Sequence, residues 1–280
     1  MADNNTTENN DKLVLGACWV LGVAWAVTRL TLSAYQNPTL GLLSVLLLTS
    51  LILTHGYILY GLKGILIYTL IGTAAGFSLE ALSISSGFPF GLFVHHETGP
   101  KPLGVPIQAI TAYAQLGWFA WVLAKLIVLE RPWCPQPLSR WAVPPVAALI
   151  LAGCDLPIDP IGATVQQQWT YAHPSGQFGV PLTNFLGWIF TGWVIFQLFA
   201  VVEQRFPSSA AATEKQFWLL PIMVWLLMAA DAPIGLLRVS PGSVSVGVRT
   251  FITADIYEAA IITSLFTHGA ISVIALTRLF

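Results

Sequence analysis

Residues 39–61 read TLGLLSVLLLTSLILTHGYILYG, an apolar run without a single Asp, Glu, Lys or Arg. A bilayer's hydrocarbon core is about 30 Å thick and is crossed by about 20 helical residues, so this stretch alone is long enough to span it. Comparable runs lie near 13–34, 64–84, 104–129, 140–157, 180–203, 216–238 and 250–275, the last being the most polar. Eight spans in 280 residues leave room for one compact bundle and none for a separate soluble domain. Composition agrees: 55% of residues are hydrophobic and 9% are charged, against roughly 25% charged in soluble domains. The expected fold is an all-α, polytopic transmembrane bundle of about eight helices, formed by residues 13–280.

Residues 1–12 are polar and acidic before Lys12. They lack the basic start of a secretory signal peptide and are expected to form a disordered tail, so the first span is retained. Lys12, Lys63, Lys125, Arg131, Arg140, Arg205, Lys215 and Arg278 fall on one side of the eight-span arrangement, and Arg29, Lys101, Arg238 and Arg249 on the other. That excess of cations makes the first side cytoplasmic, with both termini there. A net charge of −1 without a basic cluster excludes nucleic acid as a partner. Cys18, Cys134 and Cys154 show no metal-ligand spacing and no disulfide pattern, and no redox or nucleotide cofactor motif is present.

The same arrangement sorts the acids. Glu130, Glu203 and Glu214 sit beside Arg131, Arg205 and Lys215 and read as solvated interface residues. Glu80, Asp155, Asp231, Asp255 and Glu258 gather instead at one depth, in the non-cytoplasmic half, with few cations near them. Acids at membrane depth are expensive and mark functional sites. A carboxylic acid kept neutral in an apolar pocket can protonate something as weakly basic as an alkene. Asp255 and Glu258, spaced i, i+3, can form a coupled pair or serve as caps and helix bridges.

Two stretches carry the remaining signal. One is Gly87-Phe88-Pro89-Phe90-Gly91 running on to Gly104-Val105-Pro106. The other is Asp155-Leu156-Pro157-Ile158-Asp159-Pro160 running on to Gly179-Val180-Pro181-Leu182-Thr183-Asn184-Phe185-Leu186-Gly187-Trp188. Each sets Gly, Pro, aromatics and acids at the end of a membrane-length run. Pro157 and Pro160 predict a broken helix, with Asp155 and Asp159 on irregular backbone lining a cavity, where such backbone is tolerated. The DxxxD spacing also suits a magnesium-diphosphate site, but no Lys or Arg lies between Arg140 and Arg205 to meet phosphates. His95-His96-Glu97 reads as a surface loop rather than a metal fragment, because adjacent residues do not share a face and no third ligand stands out. Trp169, Tyr171, Trp188 and Trp193 fit an interfacial belt or a cation-stabilising pocket, Trp169 and Tyr171 favouring the pocket. Asn184 is a hydrogen-bonding group or a helix N-cap. His55 and His268, alone in apolar spans, read as helix contacts.

As an ordered set, Gly87–Gly91, Gly104–Pro106, Asp155–Pro160, Trp169 and Gly179–Trp188 resemble the integral-membrane carotenoid biosynthesis family. Its best-known activity is carotenoid 1′,2′-hydration. The set covers roughly the middle third of the chain. Cys154 stands where that family tends to have Trp, and Phe93-Val94-His95 where it tends to have Tyr-x-Tyr, positions that would touch substrate or water. The resemblance implies a lipophilic isoprenoid substrate, no cofactor, and protonation of a terminal double bond to give a tertiary carbocation. Water captures the cation in a hydratase; an internal double bond captures it in a cyclase. The residues expected to handle protons are Asp155 and Asp159, supported by Glu80 and Asp231. Substrate contacts are expected from Phe88, Phe90, Phe93, His95, Trp169, Tyr171, Asn184, Trp188, Asp255 and Glu258. A proton-coupled transporter is the alternative of another class, since acids at a broken helix also suit ion coupling.

Overall fold

The computed structural model describes residues 2–280 apart from 36, 135 and 207, with side chains from residue 10 onward. Helix α1 (Ala2–Tyr35) is followed by α2 (Pro38–Ser86), β1 (Phe93–His95), α3 (Ile107–Val128), α4 (Val143–Asp159) and β2 (Trp169–Tyr171). Then come α5 (Leu182–Val202), α6 (Lys215–Met228), the short α7 (Asp231–Leu236), a hairpin of β3 (Ser243–Val246) and β4 (Arg249–Ile252), α8 (Thr253–Ser264) and α9 (Ala270–Leu279). Among the described residues, seven helices are long and apolar enough to cross a membrane. Residues 2–12, expected as a disordered tail, are helical and continuous with α1.

The expected spans at 39–61 and 64–84 are fused into the 49-residue α2, whose course is interrupted at Gly61 (φ 64°, ψ 175°). A continuous helix would hold Gly56 and Ile65 about 13 Å apart. Instead a Cβ on Gly56 would meet Ile65 Cδ1 at 2.2 Å, so the chain reverses and its arms lie side by side. One turn of α3 touches both arms. Gln115 donates from Nε2 to Val45 O (3.2 Å) and Thr49 Oγ1 (2.7 Å), while Tyr68 donates to Ala114 O (3.3 Å). The hairpin thus supplies two crossings, and the chain is a multi-pass membrane protein of eight.

Helix α3 is the central post, with Trp118, Phe119, Trp121 and Leu123 at most 1% exposed. Tyr60, Tyr68, Trp118 and Phe199 interlock edge to face at 5.1–5.9 Å between ring centroids, the arrangement aromatic quadrupoles favour. His55 is a helix contact, as expected. Its Nε2 meets Phe217 O at 3.0 Å, and Trp118 Nε1 donates to its Nδ1 at 3.2 Å.

Glu203 departs from expectation. It is fully buried rather than solvated and pairs with Lys125, itself buried in the last turn of α3. Tyr60 donates to the same carboxylate oxygen at 2.6 Å, and Trp121 Nε1 donates to Tyr60 at 2.8 Å. Neighbouring Arg205 had suggested a surface pair, but α3 brings a cation 78 residues away.

Candidate active site

At the other end of the bundle, α2 stops where Gly87 adopts φ 85° and its N–H reaches Ser83 O at 2.8 Å. Ser83 then ties down the aromatic turn: its hydroxyl donates to Gly91 O (2.8 Å) and accepts from Phe90 N (3.0 Å). Gly187 clears the path for the Phe90 ring, since a Cβ there would lie 2.5 Å from it. The small antiparallel sheet pairs Phe93 with Tyr171 and His95 with Trp169. With a period of two, Phe93 and His95 share the buried face of β1 while Val94 points out.

The expected break near Asp155 and Asp159 takes another form. Helix α4 runs through Pro157 to Asp159, and a π-helical turn, Pro160–Val165, follows. Proline inside a membrane helix is tolerated where neighbours satisfy the freed backbone. The helix leaves Asp155 and Asp159 at i, i+4, on one face. Each is 4% exposed.

These elements enclose a cavity of about 240 Å³. Asp155, Asp159 and Glu80 line it with Phe90, Phe93, His95, Trp169, Tyr171, Asn184 and Trp188. Asn184, in the first turn of α5, donates from Nδ2 to both aspartates, at 2.8 Å to Asp155. That shared donor holds the two carboxyl groups side by side at one point of the wall. Tyr171 donates to Asp159 Oδ2 at 2.8 Å. Burial, then the two aspartate charges, hold the Tyr171 hydroxyl well above its usual range, so it remains a donor.

Across the cavity His95 is clasped by two acids. Its Nε2 lies 2.7 Å from Glu80 Oε1, and its Nδ1 lies 3.1 Å from Glu97 Oε2. Burial lowers the basicity of His95, but the hydrogen bonds and charges of Glu80 and Glu97 outweigh it and push its pKa up to about 9. At neutral pH the ring is an imidazolium and donates from both nitrogens.

Four expected site residues lie elsewhere. Asp231 accepts from Arg29 Nε at 3.0 Å and from Ser33 at 2.5 Å, an ion pair between α7 and α1. Asp255 and Glu258 face outward from α8. Phe88 is 54% exposed and packs edge-on against Phe190 instead of the cavity. Trp193 is also outward, at 44%.

Sequence reasoning missed several contributors. Tyr113 stacks on Trp188 (4.7 Å between ring centroids) and lines the cavity with Glu80. Its signal was its place about two turns after the Gly104–Pro106 motif. Gln108, Ala109, Ala112 and Leu116 of α3 also line the cavity, as a stripe over about 12 Å of the helix.

A family profile described as "Carotenoid biosynthesis protein" matches residues 40–253. The bisanhydrobacterioruberin hydratase of Haloarcula japonica is 30% identical over 129 residues, 45% of this chain and 42% of that relative. The match thus spans less than half of the relative's length. No solved structure matches the chain.

Proposed function

The chain belongs to the carotenoid biosynthesis protein family, and from that membership we propose that it is a membrane enzyme that adds water to a terminal carbon–carbon double bond of an acyclic carotenoid. The observation that carries this reading is the convergence of Glu80, Asp155 and Asp159 on one cavity whose wall is mostly aromatic and apolar. The hydratase name of the Haloarcula relative supports it.

The Asp155–Asp159 pair supplies the proton, held between two carboxyls that Asn184 and Tyr171 position. Transfer to the terminal alkene carbon leaves a tertiary cation. The faces of Trp188 and Tyr113 and the surrounding carboxylates stabilise it, as ring quadrupoles and fixed charges do in a dry site. Water then bonds to the cationic carbon and loses a proton to Glu80. That proton returns to the aspartate pair, so acid and base are both regenerated with no net proton consumed. A cavity of about 240 Å³ holds on the order of eight water volumes. It therefore receives only the end of a long polyene, whose remainder lies along the α3 stripe and in lipid.

The aromatic lining also suits a cyclase, in which an internal double bond captures the cation. One experiment separates the two: mass spectrometry of isoprenoids from a lycopene-producing host with and without the gene. A product heavier by one water is expected. A product of unchanged mass with altered retention would establish cyclisation or isomerisation instead.

A further inference from the structure

Glu97 lines the same cavity apart from the aspartate pair, and its carboxylate meets the cationic ring of His95. His95 is pinned between Glu80 and Glu97, whose side chains are 7% and 29% exposed, and its own is 6% exposed. Its backbone is fixed from both sides, by pairing with Trp169 in the sheet and by Lys101, whose Nζ donates to His95 O at 3.0 Å. The charged groups facing the ring are Glu80 from α2, Glu97 and Lys101 from the loop after β1, and Asp159 across the cavity. The rings of Phe93 and Trp169 close the remaining sides at 5.2 and 6.1 Å. The imidazole therefore cannot turn away from either acid without breaking a buried hydrogen bond.

We propose that Glu97 is a positioning residue: through His95 it keeps an N–H donor on Glu80 Oε1, and so fixes Glu80 as the proton-accepting side of the site. An imidazolium donates from both nitrogens; a neutral ring donates from one only. With Glu97 accepting at Nδ1, loss of the ring's second proton is opposed from the outer side. Glu80 is then always presented with a donor on one oxygen and is left to accept from water with the other. No bond beyond the N–H···O contacts is made or broken. The proposal rests on the hydration reading for Glu80's role, but the charge of His95 can be measured without it.

The test compares full-length wild type with Glu97→Gln and Glu97→Asp. Titration of 15N-histidine resonances in detergent should show the His95 midpoint, about 9 in the wild type, lowered about tenfold in proton affinity by Glu97→Gln and largely restored by Glu97→Asp. The alkaline limb of the kcat profile should move to lower pH by the same amount, with KM unchanged. An unmoved His95 midpoint overturns the proposal. So does a shifted midpoint with an unshifted rate profile, which would make Glu97 a purely structural partner. If the wild type hydrates no acyclic isoprenoid, the hydration reading fails, and the titration alone still decides whether Glu97 holds the charge on His95.

Discussion

Asp155 and Asp159 should behave as one chemical unit, and isosteric substitution can show it. Asp155→Asn and Asp159→Asn each keep an oxygen for Asn184, which donates to both positions, so the helix ends should remain packed. Each removes one of the two oxygen groups between which the proton is held. Loss of a general acid typically costs 10²- to 10⁴-fold in rate, or about 2.7–5.4 kcal/mol at 1.36 kcal/mol per tenfold. Because either substitution destroys the shared proton, the double variant should lose about as much as the worse single one. Independent residues would multiply to roughly 10⁴- to 10⁸-fold. The assay is single-turnover hydration of an acyclic carotenoid in proteoliposomes, with product quantified by mass and folding checked by thermal unfolding. Multiplicative losses, or full turnover in either folded single variant, would refute the argument.

Folding stability should depend on pH through His95. Its folded pKa, about 9, lies above the usual 6.5, so the contribution is complete below about 6.5 and is lost as pH rises to about 9. The shift corresponds to on the order of 3 kcal/mol, read as a falling unfolding temperature between pH 7 and 9 that His95→Gln abolishes. Lys125→Met should cost about 3–5 kcal/mol by leaving Glu203 charged and unpaired in the interior. Adding Glu203→Leu should recover most of that in a thermal melt, and a double variant weaker than the single would contradict it. Ala112→Trp should fill part of the cavity that the acids line, reducing turnover on the order of 100-fold while the unfolding temperature stays near wild type.

Depth in the bundle was legible in the sequence; direction around each helix was not. Apolar run length placed Glu80, Asp155 and Asp231 at a common level, because a bilayer imposes one length on every span. Whether a side chain at that level faces the cavity depends on which helix packs beside it. Asp231 finds Arg29 on α1, and Asp255 faces outward, although both satisfy the depth criterion. Lys125 and Glu203 show the same gap: their nearest charges in sequence were not their partners in space. Asp155 and Asp159 were readable as cavity-lining acids at the end of a membrane-length run, and Asn184 as a polar group opening the next, but the helical face the two acids share was not, because two prolines predicted a break there. Tyr113's place after the Gly104–Pro106 motif gave no direction around the helix, and it and the α3 stripe were assigned to the cavity only when packing set α3 against the hairpin of α2. Pro157 misled because proline's usual effect in water is softened where neighbouring helices and a π-turn accept the strain.

The cavity's size has a consequence for the order in which products form. A pocket that admits one terminus cannot hold both ends of a long symmetrical polyene. On the proposed reading, a substrate with two reactive ends must leave the site, diffuse within the bilayer, reverse its direction and bind again. Catalysis is then distributive rather than processive. Singly modified molecules should rise and fall as a true intermediate, and their peak should grow when lipid dilutes the enzyme.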